Sequence, residues 1–105
     1  MQKLLTSVKS GQRSCVLGAS AVNLILALIE KKSCVSVMDF SKTMCDDLIH
    51  KLGSYAKYEI ILRDILDPVP KLLKSKFNLI FSDQLINCLT KKDLMVFFHN
   101  IKTLL

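Results

Sequence analysis

Short apolar runs alternate along this chain with stretches whose apolar residues recur every three or four positions. The runs are Ser14-Cys15-Val16-Leu17, Ser33 to Met38, Tyr58 to Leu62 and Phe77 to Phe81. They are continuous rather than alternating, the pattern of strands buried on both faces of a sheet. Between them, Ser20 to Glu30 is rich in helix formers around Leu24, Ala27 and Leu28. Met44, Cys45, Leu48, Ile49 and Leu52 share one predicted helix face, opened by a Ser41 N-cap and stopped by Gly53. Thr90-Lys91-Lys92-Asp93 predicts the start of a last helix with Leu94, Phe97, Phe98, Ile101 and Leu105 as its apolar face. Lys3 to Lys9 predicts a short leading helix and Lys71 to Ser75 a further helical turn, and Pro68 and Pro70 mark a loop. Strands alternating with helices of this length predict right-handed βαβ units and a parallel sheet.

Composition narrows the class. A chain of 105 residues, 50% hydrophobic and 23% charged, predicts one domain with its own core and excludes a disordered or collagenous chain. We divide it into a lead-in over 1–13 and a domain over 14–105. The net charge of +6 comes from scattered basic residues whose longest run is two, with two arginines and no tryptophan. That reads as a lysine-rich solvated surface, and nucleic acid is not indicated as a partner.

No two of the four cysteines have metal or redox spacing. Cys15 and Cys34, each beside a valine in an apolar run, are expected to be buried reduced thiols of a cytoplasmic protein. His50 and His99 read as helix-surface residues, so no metal site is expected. Lys3, Lys9 and Arg13 precede the apolar stretch from Cys15 to Ile29, as in a basic presequence. Ser20 and Asn23 interrupt that stretch, and it is too short to span a bilayer, so no membrane association is expected.

In open α/β sheets, ligands bind beyond the carboxyl ends of the strands. The residues that follow the predicted strands are Gly18-Ala19-Ser20, Asp39-Phe40-Ser41, Asp64-Ile65 and Ser82-Asp83. Asp39 lies 21 positions beyond Gly18. An acid at that distance, closing the second strand, suits two hydrogen bonds from ribose hydroxyls.

The segment VLGASAVNLILALIEKKSCVSVMDFS resembles the first two motifs of class I, Rossmann-like S-adenosylmethionine-dependent methyltransferases: a strand, a G-x-G-x-G loop, a helix, then a strand ending in V-D-F-S. RDILDP is similar to the third motif, and FNLIFSDQLINCLTKKDL to the segment around the fourth strand. The resemblance implies an α/β three-layer sandwich with a parallel sheet of about four strands in the order 3-2-1-4. That sheet is truncated relative to the family's seven. It also implies S-adenosylmethionine as cofactor. By position, Gly18 and Ser20 would border the methionine end, Asp39 would bind the ribose, and Phe40 would lie along the adenine. Asp64 and Ile65 would meet the adenine edge, and Ser82 and Asp83 would border the methionine moiety or the acceptor pocket. No universal catalytic side chain is implied, and the methyl acceptor stays open.

Two departures qualify that picture. Ser20 and Val22 stand where the family has its second and third glycines. A valine there predicts a strained positive φ, a side chain filling cofactor space or a tightened helix start. The pattern also ends after the fourth strand, which predicts an apolar sheet edge covered by a second copy or a partner chain. The alternatives are a catalytically inactive scaffold of the same fold and a nicotinamide dinucleotide-binding half. The latter keeps only Gly18 of its G-x-G-x-x-G loop.

Overall fold

The apolar runs form four strands, β1 (Arg13–Leu17), β2 (Cys34–Asp39), β3 (Glu59–Leu62) and β4 (Leu79–Ser82). They are seen in a computed structural model that describes residues 8–53, 57–82 and 89–105. All pairings are parallel and the order is β3-β2-β1-β4. The connections are helices α1 (Val22–Glu30) and α2 (Lys42–Leu52), and α3 (Lys91–Leu104) follows β4.

Register sorts the strand residues into two cores. Val16 stands opposite Val37 and Phe81, and Val37 opposite Ile60. This row packs with Ile25 and Leu28 of α1 and Leu48 and Leu52 of α2 on one face. On the other face Cys15, Leu17 and Met38 pack with Ile65, Phe77, Phe97 and Leu104. The result is the expected Rossmann-like three-layer sandwich, with α1 and α2 on one side and α3 with the 64–77 segment on the other.

Local chemistry sets the ends of the helices. Ser41 Oγ accepts from the Met44 N–H at 3.3 Å, and Thr90 Oγ1 from the Asp93 N–H at 3.2 Å. Gly53 closes α2 with φ 66°. α1 ends in a Schellman pair, Ser33 N–H to Leu28 O at 3.2 Å and Lys32 N–H to Ile29 O at 2.9 Å. Lys32 takes the left-handed position there, φ 59°, where glycine is usual.

Several expectations are corrected. Phe77 is not in β4. Its N–H donates to Leu104 O at 3.0 Å and its ring is buried under the end of α3, so β4 starts at Leu79. On α2 only Cys45, Leu48 and Leu52 are buried; Met44 and Ile49 face outward. On α3 the buried residues are Phe97, Asn100 and Leu104, while Phe98 is 57% exposed and Leu105 is exposed. Adjacent helical residues point about 100° apart, so Phe97 and Phe98 cannot share one narrow stripe. Cys34 is exposed, because it is the first residue of β2 and pairs with exposed Arg13 at the open amino end of the sheet. The predicted leading helix, Asp83 and Cys88 lie outside the described residues, apart from buried Val8 and exposed Lys9, neither of which is helical. Among the described residues no helix is long and apolar enough to cross a membrane.

Candidate functional site: the carboxyl ends of the strands

The chain runs from β1 through β2 to β3, then returns across the sheet to β4 on the far side of β1. The direction of winding therefore reverses between β1 and β4, and the place beyond their carboxyl ends is where open α/β sheets bind ligands. Leu17 and Ser82 are register partners at that point, so Gly18 and Ser82 border it. Asp39 pairs with Leu62, and the ladder continues through Arg63 N–H to Asp39 O at 3.0 Å. Asp64 follows directly, so Asp39 and Asp64 stand on neighbouring strands at the same end of the sheet.

Asp39 organises this end. Its Oδ2 accepts from the Ala19 N–H at 2.8 Å and its Oδ1 from the Ser41 N–H at 2.9 Å. The first bond ties the β1–α1 loop to the end of β2, and Gly18 N–H to Met38 O at 2.9 Å reinforces it. Each carboxylate oxygen has two acceptor sites, so two remain for a ligand.

Gly18 has φ 122°, a conformation that only glycine adopts freely, and a Cβ placed on it would meet nothing within 4 Å. The space beside its backbone is open. The strain expected at Val22 is absent: Val22 is the first residue of α1, and neither it nor Ser20 has positive φ. The loop enters the helix through Ala21 at φ −81°, ψ 55°, with Val22 N–H bonded to Ser20 O at 2.9 Å. That is an inverse γ-turn, which does without further glycines. α1 carries no side-chain cap, so with Val22 N–H bonded to Ser20 O, the first-turn N–H groups of Asn23 and Leu24 remain for solvent or a ligand.

Asp64 forms an Asx-turn, its Oδ1 accepting from the Leu66 N–H at 2.9 Å. Ile65 is primarily a core residue, buried against Phe97 and Leu104. The loop that carries both is anchored by a residue the hydrophobic pattern passed over. Buried Asn100 donates through Nδ2 to Ile65 O at 2.6 Å and Asp67 O at 3.0 Å. A polar residue within a buried helical stripe was the available signal. Phe40 is 70% exposed beside Asp39, and Leu62, its neighbour on β3, is 52% exposed. Leu62 also escaped the sequence reading. Ser82 Oγ is buried and has no hydrogen-bond partner among the described residues, an unusual state for a hydroxyl.

Cys45, on α2 behind the loop, has its thiol pushed up by burial, with Asp39 and Asp46 adding to the effect. Among the described residues no cluster of His, Cys, Asp and Glu could hold a metal ion.

No protein-family model and no curated protein sequence matches the chain. Solved structures do. A structure from Rhodobacter sphaeroides, named as a candidate zinc-dependent alcohol dehydrogenase, is 33% identical, with a TM-score of 0.93 over 98% of this chain and 40% of its own. A TehB-like S-adenosylmethionine-dependent methyltransferase from Corynebacterium glutamicum is 15% identical, with a TM-score of 0.78 over 99% of this chain and 54% of its own. Phosphoethanolamine N-methyltransferase 1 from Haemonchus contortus was solved with phosphoethanolamine and S-adenosylhomocysteine. It is 15% identical, with a TM-score of 0.77 over 97% of this chain and 22% of its own.

The chain therefore has the fold of a part of the Rossmann-like S-adenosylmethionine-dependent methyltransferases, and spans about half or less of these structures.

Proposed function

We propose that the chain is a member of the Rossmann-like methyltransferases and binds S-adenosylmethionine across the carboxyl ends of β1–β3. The observation that carries this reading is the Asp39 carboxylate. It closes β2, holds the glycine-loop amide of Ala19 at 2.8 Å, and keeps acceptor sites free beside the open backbone of Gly18. Asp39 accepts from the ribose hydroxyls, exposed Phe40 lies along the adenine, and Asp64 takes the adenine edge with the backbone at Ile65. Gly18 and Ser20 border the methionine end, and the Ser82 hydroxyl, unpaired among the described residues, finds its acceptor or donor there. The bound cofactor would supply an electrophilic sulfonium methyl; this chain's part is to hold it, and transfer depends on aligning an acceptor. In this reading further strands or a partner chain complete the acceptor side, because β4 is a sheet edge. A second copy is the simplest cover for it.

The 33% identity to a protein named as an alcohol dehydrogenase favours a second reading, a nicotinamide dinucleotide in the same crevice. Against it stands the single glycine of the loop. A third reading is an inactive scaffold that binds neither. Calorimetry with S-adenosylhomocysteine and with NAD decides among them. Saturable heat with the first alone supports the proposal. Heat with NAD alone installs the second reading, and none with either leaves the scaffold.

A further inference from the structure

The opposite end of the sheet carries a different constellation. An open groove of about 680 Å³ crosses the amino ends of β1–β3. Four cations that lie far apart in sequence converge on it, Arg13, Lys32, Lys57 and Lys76, with Glu59 as the one carboxylate in its lining. Glu59 is already engaged, by Lys76 Nζ at 2.8 Å and Ser36 Oγ at 3.2 Å. Arg13, Lys32 and Lys57 are in no ion pair among the described residues. Half-buried Ile29 and Tyr58 give the lining an apolar and aromatic part, while the Phe77 ring is itself buried in the core. Its volume falls in the range of small-molecule sites.

Lys32 adds an independent argument. It occupies the left-handed position that ends α1, φ 59°, where glycine would avoid the strain. Lysine there sacrifices local stability and places a cation on the groove. Edge protection of β3 by charge would need Lys57 only, not a strained lysine on the far side of β2.

We propose that this groove is a binding site for a small organic phosphate, with the cations holding the phosphate and the apolar part of the lining the organic body. It is separate from the cofactor crevice, at the other end of the strands. Exposed Cys34, in the groove lining, serves as a reporter. The experiment follows Cys34 alkylation by iodoacetamide, resolved by peptide mass spectrometry, at constant ionic strength. p-Nitrophenyl phosphate and inorganic pyrophosphate are titrated, and p-nitrophenol is the uncharged control. Saturable slowing by p-nitrophenyl phosphate of about tenfold, weaker slowing by pyrophosphate and none by p-nitrophenol is expected. Lys57→Glu, an exposed position outside the strands, should abolish the protection. Lys32→Gly should weaken it while raising the urea midpoint, the opposite of what a damaged fold would give. Absence of protection at millimolar ligand overturns the proposal. So does protection by a single-stranded oligonucleotide at far lower concentration, which would assign the groove to a polymer.

Discussion

The two ends of this sheet are built by different means. At the carboxyl end, acids lock the backbone: Asp39 bonds the amides of Ala19 and Ser41, and Asp64 that of Leu66. At the amino end, long side chains from separate strands and turns lean over one groove, and the one short ion pair there is Lys76 with Glu59. The first end is held by short carboxylate-to-amide bonds, those to Ser41 and Leu66 local and that to Ala19 spanning 20 positions. The second is an assembly of distant residues, and its geometry depends on the whole fold being in place. Rigid backbone donors suit a cofactor that must be held in one pose. Cations on long, flexible stems suit charge recognition with looser geometry.

The largest effect should come from the carboxyl end. Asp39→Ala strips the acceptor from two amides that the loop cannot easily turn to water. We expect a loss of about 3 kcal/mol in urea unfolding and no heat with S-adenosylhomocysteine. An unchanged midpoint would mean the loop is not held as described. Asn100→Leu removes both bonds to the 65–67 loop, and about 2 kcal/mol should be lost, with weaker adenosine affinity through displacement of Asp64. A variant as stable as the parent would make Asn100 incidental.

Cys15 contrasts a buried thiol with exposed Cys34. Burial, partly offset by Lys76 and reinforced by Glu59, pushes the Cys15 thiol up to about 12 from 9.0. The folded state therefore holds its proton more tightly than the unfolded chain. The contribution is intact below pH 9 and lost as pH rises toward 12, by about 1.4 kcal/mol per pH unit. Cys15→Ala should flatten the alkaline decline relative to the parent, and an identical slope would refute the assignment.

The smallest effect is at the amino end. The Lys76 hydrogen bond is the main cause holding Glu59 below the usual carboxylate value. Its contribution is present above pH 4.5 and fades as pH falls through the lowered value. The pair is half exposed, so Lys76→Met should cost only about 0.5 kcal/mol at neutral pH. A loss above about 2 kcal/mol would show that the amino end is as rigid as the carboxyl end.

The contrast also explains what the sequence disclosed. The caps at Ser41 and Thr90 and the places of Gly18, Asp39 and Asp64 were legible, because each depends on residues within a few positions of a strand or helix end; the strand order was legible only through the resemblance. Asn100 was not, because its partners Ile65 and Asp67 are 35 and 33 positions away. The groove was not, because Arg13, Lys32, Lys57 and Lys76 look scattered until β1, β2 and β3 are side by side. Val22 stands at the helix start, one of its expected places, without the expected strain, because the pattern of glycines says where a family places them, not whether an inverse γ-turn can replace them. Phe98 was taken for core because a stripe counted at five positions is wider than the face α3 buries.

The most direct test of the cofactor assignment is a two-dimensional amide NMR titration of the chain with S-adenosylhomocysteine. Shifts confined to Gly18–Ser20, Asp39–Ser41, Asp64–Leu66 and Ser82, and absent on addition of NAD, are the predicted result. Shifts clustered at the amino ends of the strands, or none in those segments at saturating ligand, would contradict it.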